Sequence, residues 1–283
     1  MMRGRQTMAT AVRRPDGSIA IDSHPLPAIY TGWMRKAPLL RGVIVLIEAM
    51  VLGIKALLYS ANISLEEEDE EVSGGQLGLI MAVALAFSVA LFFILPLFLT
   101  RLFHFSSSLV FNLVDGLIRV AILITYLKLM ILVPDIKRTF AYHGAEHATV
   151  NAYESGVPIE LEAVRGHSKE HVRCGTSFMF VVMVISILVF SLVGLHSIWL
   201  MVLSRLVLIP VIASLSYEII YFGGRHTGNA LVRAVLAPGL WLQSLTTREP
   251  DDSQLEVAIA ALRQVVDVEE GEIKSTGESP ASS

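Results

Sequence analysis

Cysteine is almost absent from this sequence: Cys174 is the only one among 283 residues. A lone thiol cannot close an internal disulfide, so its roles narrow to a buried thiol, a reactive thiol or a metal-ligand thiolate. Charge is scarce too. Charged residues make up 17% of the chain, against about 25% in an ordinary soluble domain, and 53% is hydrophobic. That balance excludes an average soluble fold and points to the lipid bilayer. No extended basic surface is interleaved with aromatics, which argues against a nucleic-acid partner. The N-terminus carries Arg3, Arg5, Arg13 and Arg14 and lacks the apolar core of a secretory signal peptide, so the first segment is expected to stay in the cytoplasm. No fixed-period repeat is evident. The formal charge of −4 says little about partners, because six acids stand together at Glu66 to Glu71, a run expected to be a solvated loop.

What the chain does have is long apolar runs. Residues 77 to 99 are nearly uncharged and broken only by Pro96, close to the ~20 residues a hydrocarbon core needs. Residues 109 to 133 form a second span carrying Asn112, Asp115, Arg119 and Lys128; Asp115 and Arg119 stand four apart and are expected to pair inside the bundle. Residues 176 to 197 and 201 to 222 read as two more, the last with Arg205, Pro210 and Glu218. Leu39 to Asn62 is also helical and apolar. There, however, Arg41, Glu48 and Lys55 recur every seven residues on one stripe, which suits a helix lying along the membrane or against the bundle.

Lys and Arg outside these spans number seven up to Arg41, five between residues 134 and 175 and three from 223 to 249, with Arg101 alone in the remaining connections. Four spans with both termini inside satisfy that asymmetry. The expected fold is therefore mainly α: a polytopic membrane helical bundle of about four transmembrane helices plus an interfacial amphipathic helix, a small N-terminal β-hairpin and cytoplasmic helices. The hairpin falls around Pro15-Asp16-Gly17, turn chemistry between two β-prone runs. Ser253-Gln-Leu-Glu256 reads as a capping box opening a soluble amphipathic helix with Leu255, Ile259, Leu262 and Val266 on one face. The organisation predicted is a cytoplasmic segment over 1–38, a membrane-embedded domain over 39–268 with a cytoplasmic loop at 134–175, and a disordered tail over 269–283.

That loop contains His143-Gly-Ala-Glu-His147. In a helix beginning after Pro134 and ending at Gly156, His143 and His147 share a face and can present two ring nitrogens to one divalent ion. Glu146, directly before His147, can accept a proton from water at that ion, in the His-x-x-Glu-His order of inverzincins. Helix-surface histidines bonded to their neighbours are the plain alternative. A third ligand is needed. Glu154, on the same stripe, lies seven residues past His147, about 10 Å along the axis, which is too far for one ion. His171 and Cys174 are the better candidates, with His167 behind them, and a thiolate at Cys174 would favour zinc. Glu218 is a rival, although a salt bridge with Arg119 or Arg205 is its simpler role.

Tyr142-His-Gly-Ala-Glu-His147, His171-Val-Arg-Cys-Gly-Thr-Ser-Phe178, Tyr217-Glu218, Pro238-Gly-Leu-Trp-Leu-Gln243 and Thr246-Thr-Arg-Glu-Pro250 together resemble the YqhQ-like bacterial membrane proteins, domain-of-unknown-function family 1385. The likeness runs from Ala11 almost to Val266, and departs from the family pattern at Val172, where proline is usual. It implies a multi-pass protein of the bacterial cytoplasmic (inner) membrane, described as a predicted metal-dependent enzyme, with no substrate implied.

The expected function is a membrane-embedded, metal-dependent hydrolase, peptidase-like in its motif. Its catalytic residue would be Glu146, and a divalent metal, Zn²⁺ by preference, would be held by His143, His147, His171 and Cys174. Substrates would be a membrane-protein segment or a lipid-linked molecule. The alternative is a non-catalytic, metal-stabilised scaffold that partners a protein-export or quality-control complex. A transporter using Asp115, Arg119 and Arg205 is a third reading.

Overall fold

The computed structural model describes residues 1–64, 74–172, 174–194, 197–226 and 228–276. The chain opens with a small antiparallel sheet, β1 (Met2–Arg3), β2 (Thr7–Arg13) and β3 (Ile19–Pro25), in the order β1-β2-β3. The expected hairpin is β2–β3, with Thr10 opposite Asp22 and Arg13 opposite Ile19. Gly17, at φ +88°, takes the left-handed conformation that its turn requires.

Two short turns, α1 (Ala28–Thr31) and α2 (Trp33–Lys36), lead to α3 (Leu40–Ser64). Then come α4 (Gly74–Val89), a π-helical turn (Ala90–Ile94) and α5 (Leu95–Arg101). Pro96 explains the wide turn. Its ring would clash with the carbonyl of Phe92 in a regular helix, and the five-residue bond from Leu95 N–H to the Ala90 carbonyl makes room. Next are α6 (Ser108–Met130), α7 (Pro134–Glu154), α8 (Leu161–Val164), α9 (Gly175–Val193), α10 (Ile198–Val207), α11 (Ile209–Arg225), α12 (Ala230–Gln243) and α13 (Asp252–Thr276).

Among the described residues, four helical segments are long and apolar enough to cross a membrane: α3, the run Gly78–Arg101, α6 and α9. The expected span at 201–222 is two helices, α10 and α11, bent by 45° at a break around Leu208; together they are long and apolar enough for a fifth, broken span. Pro210, without an N–H, begins the second piece. Of the stripe Arg41, Glu48 and Lys55 on α3, the first two face protein and Lys55 is exposed. Glu48 is 4% exposed and accepts from Arg3 Nε at 2.8 Å and from Arg35, while Arg41 donates to Glu218 Oε1 at 2.7 Å. Glu218 therefore pairs with Arg41, not with Arg119 or Arg205, because α3 packs along α11 where Gly42 meets Ser214. The opposite side of α3 exposes Leu40, Ile47, Met50 and Leu57.

Two packed regions share α7. Ala145, Ala148 and Ala152 bury its one face against β2, Leu255, Ile259 and Leu262, forming the core of a polar cap with α13. The capping box of α13 lies two residues earlier than Ser253–Glu256. Asp251 Oδ1 accepts from Gln254 N–H and Gln254 Oε1 accepts from Asp251 N–H, both at 2.9 Å, while Glu256 receives Arg13. α13 also continues to Thr276, eight residues into the stretch expected to be disordered. Residues 277–283, and the acidic run Glu66–Glu71, lie outside the described residues. On the bundle side α9 is central, packed on α6, α11 and α12, with Gly239 letting α12 approach Ser177 closely.

Candidate metal centre

α7 ends as its sequence demands: Gly156, at φ +73°, follows the C-cap Ser155, and Val157 N–H reaches back to the Ala152 carbonyl at 3.3 Å. His143 and His147 therefore sit one turn apart on a single face, with ring centroids 4.4 Å apart. The N-cap of α9 is Cys174, whose sulfur accepts from Thr176 N–H at 3.4 Å. Its Sγ lies 3.3 Å from His143 Nε2, and one donor atom from each of His143, His147 and Cys174 falls within 4.8 Å of the others.

Both rings are locked from behind. His143 Nδ1 meets the Thr246 carbonyl at 2.9 Å and His147 Nδ1 meets the Lys169 carbonyl at 2.8 Å. A carbonyl oxygen only accepts, so each Nδ1 must carry the hydrogen. Each Nε2 is then left to bind a proton or a cation.

Burial alone would raise the Cys174 thiol. Hydrogen bonds from His143 and His147 and the charge of His143 outweigh it and bring the thiol down to about 5. Burial likewise opposes a charge on His143, yet the Cys174 sulfur, the Thr246 carbonyl and nearby Glu146 hold its pKa above the ordinary value. The pocket thus favours a thiolate beside two imidazoles, a donor set that suits a borderline-soft divalent ion.

The supporting shell comes from the segment after α12. A Cβ at Gly144 would stand 2.1 Å from the Arg248 carbonyl oxygen, so only glycine lets residues 246–248 run against α7. Arg248 N–H donates to the Phe140 carbonyl at 2.9 Å. Gln243, fully buried, clamps the loop before Cys174, its Oε1 accepting from His171 N–H at 2.9 Å and its Nε2 donating to the His171 carbonyl at 3.1 Å. Thr176 and Thr246 hydroxyls join at 3.0 Å.

His143, His147 and Cys174 come together, and the other expected site residues do not join them. The loop after α8 is not helical, so His167, His171 and Cys174 share no face. His167 Nδ1 contacts the Ala163 carbonyl, and His171 Nε2 turns to Glu154 Oε2 at 3.3 Å, its ring centroid 6.0 Å from that of His147. Glu218 is on α11 with Arg41. Glu146 is outside the three-residue cluster; its carboxylate meets the Met1 amino group and forms part of the wall of a cavity of about 890 Å³ between β2, α3, α7 and α13. Gly144, Gln243, Thr246 and the Lys169 carbonyl went unassigned in the sequence. Gly144, Gln243 and Thr246 do fall within the strings that carry the family resemblance, which was the available signal.

A largely buried two-histidine, one-cysteine donor set lies beneath a polar cap, and the four described helices that are long and apolar enough to cross a membrane make the fold compatible with a helical membrane protein carrying a candidate metal centre. The chain belongs to the family described as "Protein of unknown function (DUF1385)", which matches residues 37–268. It is 35% identical over 287 residues to "Uncharacterized protein YqhQ" of Bacillus subtilis (strain 168), across 95% of this chain and 90% of that one. No solved structure matches it.

Proposed function

We propose that the chain is a multi-pass protein of the bacterial cytoplasmic membrane that holds one divalent metal ion, zinc by preference, and uses it to hydrolyse a membrane-protein segment or a lipid-linked molecule. The observation that carries this reading is the convergence of His143 Nε2, His147 Nε2 and Cys174 Sγ, with both Nδ1 atoms committed to carbonyls. Three protein ligands among the described residues would leave a fourth position for water, the pattern of catalytic zinc sites. His171, paired with Glu154, does not close it.

When bound, zinc would supply a Lewis acid that brings the pKa of a coordinated water down to about 7. The remaining work falls to the chain. Thr246 and Lys169 keep both rings in the ligating tautomer. Glu146, in the cavity wall and close enough to His143 to act on its charge, would take a water proton and return it to the leaving group. The cavity would admit a substrate along α3 to the Glu146 side of α7; His143, His147 and Cys174 do not line it. The clustering of Lys and Arg in the termini and in residues 134 to 175 supports a cytoplasmic location for this face.

A second reading, a metal-stabilised scaffold, is favoured by burial, since His147 and Cys174 are each 8% exposed. Metal analysis of the purified protein tests both. About one ion per chain is expected in the wild type and in Glu146→Gln, and loss of that ion in His143→Ala and Cys174→Ala. Unchanged metal content in both ligand variants would reject the ligand set. X-ray absorption then separates the readings: two nitrogens, one sulfur and an exchangeable oxygen support hydrolysis, and four protein donors support the scaffold.

A further inference from the structure

A second set of buried charges lies within the bundle, apart from the histidine–cysteine centre. Asp115 Oδ2 accepts from Arg119 Nη2 at 2.9 Å and from Arg205 Nη2 at 3.2 Å. The three residues are 2%, 6% and 3% exposed, respectively. Guanidinium groups do not deprotonate in proteins, so two positive charges face one negative charge. Among the described residues, Asp115 is the only acid paired with either arginine. Three polar atoms of the set have no hydrogen-bond partner: Asp115 Oδ1, Arg119 Nε and Arg205 Nε.

Four elements wall this group. Arg119 and Asp115 come from α6 and Arg205 from α10; the ring of Phe93 in the π-helical turn lies 5.2 Å from the Arg119 guanidinium, and that of Phe190 in α9 lies 4.8 Å from that of Arg205. The rings help to solvate the cations but leave the count of charges unbalanced. An uncompensated charge enclosed among apolar helices is strongly disfavoured, and an ion of opposite sign is the simplest relief.

We propose that Arg119 and Arg205 bind a small monovalent inorganic anion, chloride in the first instance, inside the bundle. One negative charge brings the set to neutrality, and the two unused Nε–H groups are the donors it would meet. The site joins α6 to the bent α10–α11 segment, and is independent of the metal centre.

The test is thermal unfolding of the full chain in a non-ionic detergent, in sodium chloride and in sodium gluconate of equal ionic strength. The melting temperature should rise by about 3 °C for each tenfold increase in chloride above its dissociation constant, and stay flat in gluconate. Arg205→Met leaves the neutral Asp115–Arg119 pair and should abolish the difference; Arg119→Met serves the same purpose should the first variant fail to fold. Equilibrium dialysis with radiolabelled chloride should find about one ion per wild-type chain, a readout that needs no variant. Identical melting in the two salts without bound chloride overturns the proposal, as does a chloride effect that survives in either arginine variant.

Discussion

Gly144→Ala concentrates the argument for the candidate centre in one methyl group. Gly144 lies inside α7, where alanine normally gains about 1 kcal/mol over glycine from helix propensity. Here the new Cβ would lie 2.1 Å from the Arg248 carbonyl oxygen and 3.3 Å from its carbon, whereas ordinary contact begins at 3.4 Å. The oxygen must retreat by more than an ångström, and it is backbone, not the end of a flexible side chain. Two hydrogen bonds stand on that segment, Arg248 N–H to the Phe140 carbonyl and His143 Nδ1 to the Thr246 carbonyl, both 2.9 Å. Losing both at about 1 kcal/mol each, with about 1–3 kcal/mol of overpacking, reverses the sign of the propensity gain and leaves a net loss of roughly 2–4 kcal/mol. With His143 unanchored, metal affinity should fall about 10–100-fold, as when the carbonyl partner of a ligating histidine is removed. Thermal unfolding and competition with a chelator measure the two effects. Gly53→Ala, in α3 with open space around its Cβ, is the control and should be neutral or stabilising. A Gly144→Ala protein as stable as wild type, with unaltered metal affinity, would refute the account of how the segment after α12 builds the site.

Other perturbations address separate parts of the structure. Because folding depresses the Cys174 thiol from 9.0 to about 5, its contribution to stability is complete above 9.0 and is lost as pH falls toward 5. The metal-free protein should therefore melt at lower temperature across that window, and Cys174→Ser should flatten the profile; parallel profiles would remove the thiolate. Cobalt-loaded wild type should show a sulfur-to-metal charge-transfer band that Cys174→Ser lacks, and a band persisting in the variant excludes this ligand. Gln243→Leu leaves the His171 N–H and carbonyl without partners and should destabilise the fold by about 1–3 kcal/mol, with weaker metal binding read by the same chelator assay. Asp115→Asn leaves two buried guanidiniums without their carboxylate and should cost about 3–5 kcal/mol in denaturant unfolding, whereas wild-type stability would mean the pair is solvated.

The features legible in the sequence are those decided within a few residues. The hairpin follows from Pro15-Asp16-Gly17, the α7 stop from Gly156 and the Asp115–Arg119 pair from their spacing of four, because each is local backbone or one-turn geometry. The polar stripe Arg41-Glu48-Lys55 indicated a protein-facing side of α3 that holds for Arg41 and Glu48 but not for the exposed Lys55, and it did not indicate the partners, because Arg3, Arg35 and Glu218 come from elsewhere in the chain. The capping box slipped by two positions because Asp251, Ser253 and Gln254 offer overlapping frames. The Asp251 carboxylate, two residues upstream, accepts from both the Gln254 N–H and the Ser253 hydroxyl, and Arg13, distant in sequence, takes Glu256.

The candidate centre divides along the same line. Two imidazoles on one face follow from a spacing of four, so their convergence could be read from the chain. Choosing Cys174 over His171 could not. Both residues stand at the end of the same loop, and the difference lies in which of them meets α7 across the fold. Gln243 grips the His171 backbone from 72 residues away, and Glu154 lies within reach of the His171 ring. Three residues later the chain turns into α9, and the N-cap position directs the Cys174 sulfur toward its own helix terminus and His143 at once. α7 adds the last constraint, since its alanines must face the cap while its histidines face the bundle. Gly144 lies between those faces, where the approach of Arg248 leaves no room for a side chain, so the His-Gly-Ala-Glu-His string encodes a backbone crossing as well as a pair of ligands.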